Sequence, residues 1–504
     1  MTTPAEAPHR PHRLRWSATD QDMSEAGLPV EDVELVSIGG GLGSFALIDR
    51  LRLGGVSATD IRVVSPHLQP DHAFAAACGA SGLADDDSLR SDSSARIDNI
   101  WGFPSYAAEE AWRRKRIAPL ARVLLEPFCE NYTPTVGLMR RGVEREAARI
   151  DWPEMVTQGV AERVVKRTDG GYFVVVLGRD GVLGRGHRTA YRCRFVHLAL
   201  GASGVRVTSE AEEFREDGDH GDRLRHVYET HDHIYDTLLA KGGSVLVRGS
   251  GIAAATALER LMEAQRSSRH KIHIWQLFRH YQESPSGPWH ARRDGGCGFT
   301  YQSYDVPKAA FTGQLRQATE RLDGKERLDR IRELGATSTP YRRAWADQLR
   351  RGREEGWYDA VVGEVARFGF RNGKVRPEIR LANGDVLNLD VDHVLDATGL
   401  DGAVQHHPIA AELLADGDAR ATSLGGLRVD DGFSVVGCES GDGRIFASGM
   451  TARGASLAPV DSFSGLQSSA LDIADQLAAR GLGERLTPAR SVAAWRRWMG
   501  GRKP

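Results

Sequence analysis

Three consecutive glycines, Gly39 to Gly41, follow the apolar run VELVSI at Val33 to Ile38. They precede a stretch in which Phe45, Leu47, Ile48 and Leu51 recur at helical spacing. A buried strand that ends in glycine and turns straight into a helix opens a β-loop-α unit. With Leu42, Gly43 and Ser44 the loop fits G-x-G-x-x-(G/A), a serine taking the third place. The first glycine permits the tight turn and the second lets backbone approach a pyrophosphate. The third small residue lets helix and strand pack closely, with the helix N-terminus facing the phosphates. A second apolar run, Ile61 to Val64, follows Gly54 and Gly55 and completes a βαβ unit. Gly39, Gly40, Gly41, Leu42, Gly43 and Ser44 are therefore expected to hold a dinucleotide. One part of the fingerprint is missing: the second strand ends at Ser65 and Pro66, where an acid ordinarily binds the adenosine ribose. Asp60 and Asp71 flank that segment, the first at the start of the strand and the second on a loop.

The pattern occurs once more. SVLV at Ser244 to Val247 leads into Gly249, Ser250, Gly251, Ile252, Ala253 and Ala254, then an Ala-rich helix to about Glu263 and a strand at Lys271 to Leu277. Two such units in one chain imply that two dinucleotides meet, one as stored cofactor and one as reductant. Arg279, with His280, follows this second strand in place of an acid. A guanidinium there suits a 2′-phosphate, which points to NADPH over NADH; the alternative is a solvated Arg at a strand end.

The 504 residues, 41% hydrophobic, leave room for two or three cored domains. A formal net charge of -2 offers no field for nucleic acid or an anionic membrane. No run approaches the roughly 20 apolar residues of a membrane span, and the first 25 or so lack a secretory core, so a cytoplasmic location is expected. Cys78, Cys129, Cys193, Cys297 and Cys438 are too far apart for a C-x-x-C half-site, and each is expected to be a small buried hydrophobe. The pairs His406 and His407, and His231 and His233, lack further ligands at metal-site spacing, so no metal is expected. Helical patterning runs from Ser105 to about Arg149 and β patterning from about Val160, with YFVVVL at Tyr172 and RFVHLAL at Arg194. Strands resume around Ile379 and Val394, and one long helix covers Ala470 to Arg480. Between about 284 and 356 lies an insertion with Trp289, His290, Arg292 and Arg293, then Tyr301 and Tyr304. It either lines a substrate pocket and neutralises a carboxylate, or forms an interdomain or dimer surface. Trp101, in NIWGFP, packs either on a cofactor or in the core.

Taken together, the chain resembles flavoproteins with two dinucleotide-binding domains. It is most like the single-component (class B) FAD- and NADPH-dependent monooxygenases, which include N-hydroxylating, Baeyer-Villiger and flavin-containing enzymes. The resemblance covers most of residues 33 to 480. Leu198 to Gly201 (LALG) and Asp396 to Gly399 (DATG) match the strand ends at which such proteins connect their domains. RIFASG at Arg444 to Gly449 resembles the last FAD-contacting strand, with Met450 where an acid usually follows. His226, Tyr228, His231 and Tyr235 occupy the place of the F-x-G-x-x-x-H signature without its Phe and Gly, so Baeyer-Villiger chemistry is not specifically supported. The tryptophan run of flavin halogenases and the cysteine pair of disulfide reductases are absent.

The resemblance implies an α/β fold with two Rossmann-like dinucleotide-binding domains, a glutathione-reductase-like FAD domain carrying an inserted NADPH domain. The layout expected is a flexible leader at 1–32, the FAD domain at 33–235 and 390–504, and the NADPH domain at 240–389. It also implies cofactor contacts from Gly201, Thr398, Gly399 and Gly449, and from Ser464, Leu466 and Gln467 at the start of a helix aimed at the flavin. The implied activity is a monooxygenase using NADPH and O2 to hydroxylate a small organic nucleophile, an amine nitrogen being slightly favoured. The hard chemistry then belongs to FAD, and no catalytic side chain is assigned. Two alternatives stay open: a reductase with a non-oxygen acceptor, and a nucleotide-sensing protein without turnover, which the missing ribose acid and Met450 would fit. Partners are a small-molecule substrate and O2, not nucleic acid or membrane, with homo-oligomerisation left open.

Overall fold

The computed structural model describes residues 17–89, 105–124, 132–178, 187–218, 220–285, 294–301, 310–311, 313–335, 338–339, 341–416 and 419–504. Its first ten strands are β1 (Ser17–Ala18), β2 (Val30–Asp32), β3 (Leu35–Ile38), β4 (Ile61–Ser65), β5 (Val156–Arg167), β6 (Tyr172–Gly178), β7 (Arg188–Cys193), β8 (Phe195–Leu198), β9 (Gly204–Val205) and β10 (Leu224–His226). The other ten are β11 (Gly243–Arg248), β12 (Ile272–Phe278), β13 (Asp294–Gly296), β14 (Phe299–Tyr301), β15 (Tyr358–Arg371), β16 (Lys374–Leu381), β17 (Val386–Asn388), β18 (His393–Asp396), β19 (Leu400–Asp401) and β20 (Arg444–Ala447).

Two mixed α/β sheets organise these strands. The first runs β2-β7-β6-β5-β4-β3-β8-β20, with β1 on β5. Its β4, β3, β8 and β20 are parallel, while β5, β6 and β7 form an antiparallel meander. Every residue of β3 and β8 is buried, which is why both are largely apolar without alternation, broken only by Ser37 and His197: a parallel strand covered on both faces has no polar side. Helices Leu42–Leu53 and Phe463–Ala479 pack against one another and share one core. The second sheet runs β10-β18-β11-β12-β15-β16-β17; it is parallel through β15 and then closes with antiparallel β16 and β17.

Strand pairing moves the crossings between the sheets. β10 and β18, placed by sequence in or at the edge of the first unit, both pair within the second sheet. The two crossings are β9 and β19, which pair antiparallel with Leu400 opposite Val205, in place of 235–240 and 389–390. A strand three residues long carries too little pattern to declare its sheet.

Residues 17–32, expected as part of a flexible leader, join the first sheet. β1 pairs with Lys166 and Arg167 of β5, and β2 lies on β7. The helix Asp20–Glu25 between them starts with a capping box in which the Thr19 hydroxyl accepts from the Asp22 backbone N–H and the Asp22 carboxylate from the Thr19 N–H. Met23 is fully buried and packs with Val165, Phe173 and Ala190. The side chains of β2 are all exposed and show no alternation; its pairing with β7 rests on backbone and on the Asp32–Arg192 ion pair. The insertion is likewise partly core. Phe299 and Trp345 meet edge to face at 4.7 Å beneath the second sheet, and Tyr301, grouped by sequence with a substrate pocket, is fully buried there. A C-terminal helix, Pro488–Met499, was not foreseen; its Trp498 indole donates to Glu146 at 3.1 Å.

Met23→Ala is expected to lower the unfolding free energy by roughly 2 kcal/mol or more, as truncation of a buried Met does. Urea denaturation checks this; an unstructured leader would give no change.

Candidate cofactor sites and the cavity between them

The first glycine loop is held by backbone. Gly39 N–H donates to Val64 O at 3.0 Å, and Ala199 N–H donates to Ile38 O at 2.9 Å. A Cβ on Gly39 would stand 2.2 Å from the Ala199 carbonyl oxygen, and the residue has φ +97°, so only glycine lets β3 turn against the end of β8. A Cβ on Gly41, the N-cap of helix Leu42–Leu53, would meet no protein atom within 4 Å. That open side is what the pyrophosphate of a dinucleotide requires. Gly43 and Gly449 both face Leu466, at 3.5 and 3.0 Å from their built Cβ positions, so loop, last strand and last helix converge. Ser464 is buried, Leu466 and Gln467 are half-buried, and the Ser462 hydroxyl caps that helix by accepting from Gly465 N–H at 3.0 Å.

Ser44 explains its unusual place in the loop. Its hydroxyl donates to the Gly39 carbonyl and lies 2.8 Å from the Ser37 hydroxyl. Ser37 is 2.9 Å from His197 Nδ1, and His197 Nε2 is 2.9 Å from the Ser448 hydroxyl. All four side chains are buried. With Ser44 donating to a carbonyl, the chain runs consistently in one direction: Ser448 donates to Nε2, Nδ1–H to Ser37, and Ser37 to Ser44. Burial pushes the His197 pKa down to about 3, so the ring is neutral. Ser37 and His197 are register partners on β3 and β8, which is how two polar residues coexist inside a parallel sheet. Each looked like an isolated impurity in an apolar run; only the pairing makes them a network.

The second loop repeats the construction. Gly249 N–H donates to Leu277 O at 3.1 Å, and Ala397 N–H to Arg248 O at 2.8 Å. A Cβ on Gly249 would stand 2.6 Å from Ala397 O, whereas one on Gly251 would meet nothing. The Gly249 carbonyl, like that of Gly39, accepts a side-chain bond, here from the Gln276 amide. Gln276 is fully buried, with its Oε1 lacking a partner beneath the loop; it too was missed, a lone polar residue in IHIWQLF. Ser250 is exposed, Ile252 and Ala253 are half-buried, and Ala254 is fully buried against the sheet. Gly201 and Gly399 end the matching strand-end segments, each with open space where a side chain would stand. The Thr398 hydroxyl is committed to Arg206 O at 3.1 Å. Arg279 is exposed directly after β12, at the sheet end that carries Gly249.

A cavity of about 450 Å³ lies where the two units meet. Phe74 and Cys78 enter it from helix His72–Ala80, Tyr228 from beyond β10, Ile252 from the second loop's helix, and Phe463 from the last helix. Phe74 and Phe463 are edge to face at 5.3 Å. Burial pushes the Cys78 thiol up to about 11, so it is not a thiolate at neutral pH. Neither Phe74 nor Phe463 had been singled out, although Phe463 opens the helix whose Ser464, Leu466 and Gln467 had been. The two acids weighed for the ribose are elsewhere engaged: Asp71 accepts from Arg140 at 3.0 Å, and Asp60 precedes β4, opposite the loop end. Trp101, Trp289, His290, Arg292 and Arg293 lie outside the described residues. The four described cysteines are buried and form no disulfide.

No protein-family model matches the chain, and no curated protein matches it in sequence. Solved structures do. The ornithine hydroxylase PvdA from Pseudomonas aeruginosa aligns with TM-score 0.61 at 16% identity, over 89% of this chain and 100% of that one. The chain shares its fold. The FAD-bound cadaverine monooxygenase DfoA from Erwinia amylovora aligns with TM-score 0.64 at 12% identity, over 91% and 97%. The bacillithiol disulfide reductase Bdr from Staphylococcus aureus aligns with TM-score 0.50 at 12% identity, over 90% and 99%.

Two outcomes are expected. Gly39→Ala should lower the melting temperature, because its Cβ strikes a backbone carbonyl, and Gly41→Ala should leave it unchanged; differential scanning fluorimetry compares them. His197 binds a proton far less readily folded, at about 3, than in an unfolded chain near 6.5. Its contribution is therefore complete above pH 6.5 and lost as pH falls toward 3, by up to about 1.4 kcal/mol per pH unit. Urea midpoints between pH 7 and pH 5 should fall more steeply for the native chain than for His197→Asn.

Proposed function

We propose that the chain is an FAD- and NADPH-dependent monooxygenase that hydroxylates a small organic nucleophile, an amine nitrogen above all. The observation that carries this reading is the pair of glycine loops built alike, each with its first glycine against the carbonyl at a neighbouring strand end and its N-cap glycine open where a pyrophosphate would lie. In it, FAD occupies the first of two Rossmann-like units and NADPH the second. Bound FAD would supply the redox chemistry between NADPH and O2. The Gly39–Ser44 loop holds the FAD pyrophosphate against the N-terminus of helix Leu42–Leu53, and Gly249–Ala254 does the same for NADPH. Arg279 pairs with the 2′-phosphate. Leu466, packed on Gly43 and Gly449, and the capped start of helix Phe463–Ala479 would help hold the flavin beside the first loop. Phe74, Tyr228 and Phe463 wall the cavity with rings and keep water from the reacting atoms. The likeness to ornithine and cadaverine enzymes favours a basic nitrogen as the acceptor of oxygen. The likeness to Bdr supports a reductase as the second reading; the protonated, buried Cys78 weighs against a thiol mechanism at this cavity.

The decisive measurement is turnover of the FAD-loaded protein with NADPH and a panel of amino acids and diamines under ¹⁸O2. Labelled hydroxylamine formed in step with NADPH oxidation is the expected result. NADPH oxidation that passes to quinones or disulfides without incorporation would favour the reductase, and no oxidation would favour a sensor. Arg279→Ala should raise the KM for NADPH about ten-fold and leave that for NADH nearly unchanged, which steady-state kinetics checks.

A further inference from the structure

The FAD reading leaves the adenosine half of the cofactor without its usual partner. A carboxylate at the end of the second strand ordinarily takes the ribose hydroxyls. Here β4 ends in Ser65, which is 4% exposed. Its hydroxyl is turned into its own turn, donating to His67 O at 2.8 Å and accepting from His67 N–H at 3.1 Å. It also presses on the loop: a Cβ on Gly40 would stand 2.5 Å from Ser65 Oγ. Ser65 therefore supports the loop from below and does not reach a nucleotide, while Asp60 and Asp71 are placed as described above.

What the end of β4 does present is a pair of imidazoles. The rings of His67 and His72 are stacked, with centroids 3.5 Å apart and an interplanar angle of 16°. Both residues are exposed. The His67 carbonyl lies 3.7 Å from the Cβ position of Gly40, so the pair rises directly beside the first glycine loop, at the strand end where the ribose acid would stand. Two flat rings held parallel at the lip of a nucleotide groove present a preformed aromatic face. An imidazole also offers a nitrogen that hydrogen-bonds a hydroxyl, which the apolar aromatics do not.

We infer that the stacked His67–His72 pair is the adenosine-binding element of the first site, taking over by stacking and ring-nitrogen hydrogen bonding the task the missing acid performs elsewhere. This rests on the reading that FAD occupies the first loop. The same geometry explains the turn: Ser65 fixes the backbone of His67 through both its N–H and its C=O, and Asp71 is the N-cap residue of the helix that begins at His72.

The test is titration of the apoprotein with FAD and with FMN, which lacks adenosine, followed by flavin fluorescence, alongside the apoprotein melting temperature. His67→Ala is expected to raise the Kd for FAD about ten-fold, with FMN affinity and melting temperature unchanged. His67→Phe, which keeps a ring, should recover part of that loss. Unchanged FAD affinity in both His67→Ala and His72→Ala would overturn the inference and leave the FAD reading intact. Equal loss of FAD and FMN affinity would overturn it too, marking the pair as structural. A native chain that binds no FAD at all would remove the FAD reading and this inference with it.

Discussion

The close approach of each glycine loop to the carbonyl at the end of a neighbouring strand is the constraint from which the rest of the architecture follows. Gly39 sits against Ala199 O and Gly249 against Ala397 O, too close for any side chain. Once backbone meets backbone there, the helix that follows each loop must start at the edge of the sheet with its N–H groups aimed outward. The strand ends at Leu198 and Asp396 are thereby fixed in height. The segments that leave them, β9 and β19, share the space between the sheets, and the junction cavity is what remains around them.

Much of this was legible because glycine is hard to disguise. Gly39, Gly41, Gly249 and Gly251 stood out between apolar and helical runs, and the structure finds in them the two tasks their positions demanded: close packing at the first of each pair and an open side at the second. LALG and DATG were recognisable for a related reason, since both end strands that pack on those glycines. Buried polarity was not legible. Ser37, His197 and Gln276 each interrupt an apolar strand by one residue, and one sequence cannot say whether such an interruption has a partner until the strand across from it is known. Residues 17–32 failed for the opposite reason. Their sheet contacts are made by backbone and by charged side chains, Asp20 and Asp32 on Arg167 and Arg192, and Met23 is a single apolar residue among charges.

Buried hydrogen bonds to the loop carbonyls add a second layer of order. A side chain that binds the Gly39 or Gly249 carbonyl satisfies an acceptor that a tight turn would otherwise leave unpaired in a dry place, where its cost is on the order of 1–3 kcal/mol. The two units answer the same need with different residues, Ser44 from the helix side and Gln276 from the sheet side. The local requirement is thus set by geometry, and the chemistry that meets it is free to vary. The neutral His197 extends the first solution to Ser448, tying the loop to the far strand without placing a charge in the core.

The ribbon of β9 and β19 makes the second sheet a cassette. Its chain leaves the first unit at Val205 and returns at Leu400, and those two residues are paired neighbours, so the whole intervening segment is closed by a gap no wider than one strand spacing. An insertion with adjacent ends can be removed or exchanged without pulling the host apart. Here the exchange has a condition: Phe311 sits in the first unit's core, and Arg316 and Arg327 reach Asp472 and Asp431, so a graft at the same two positions must keep or replace those contacts.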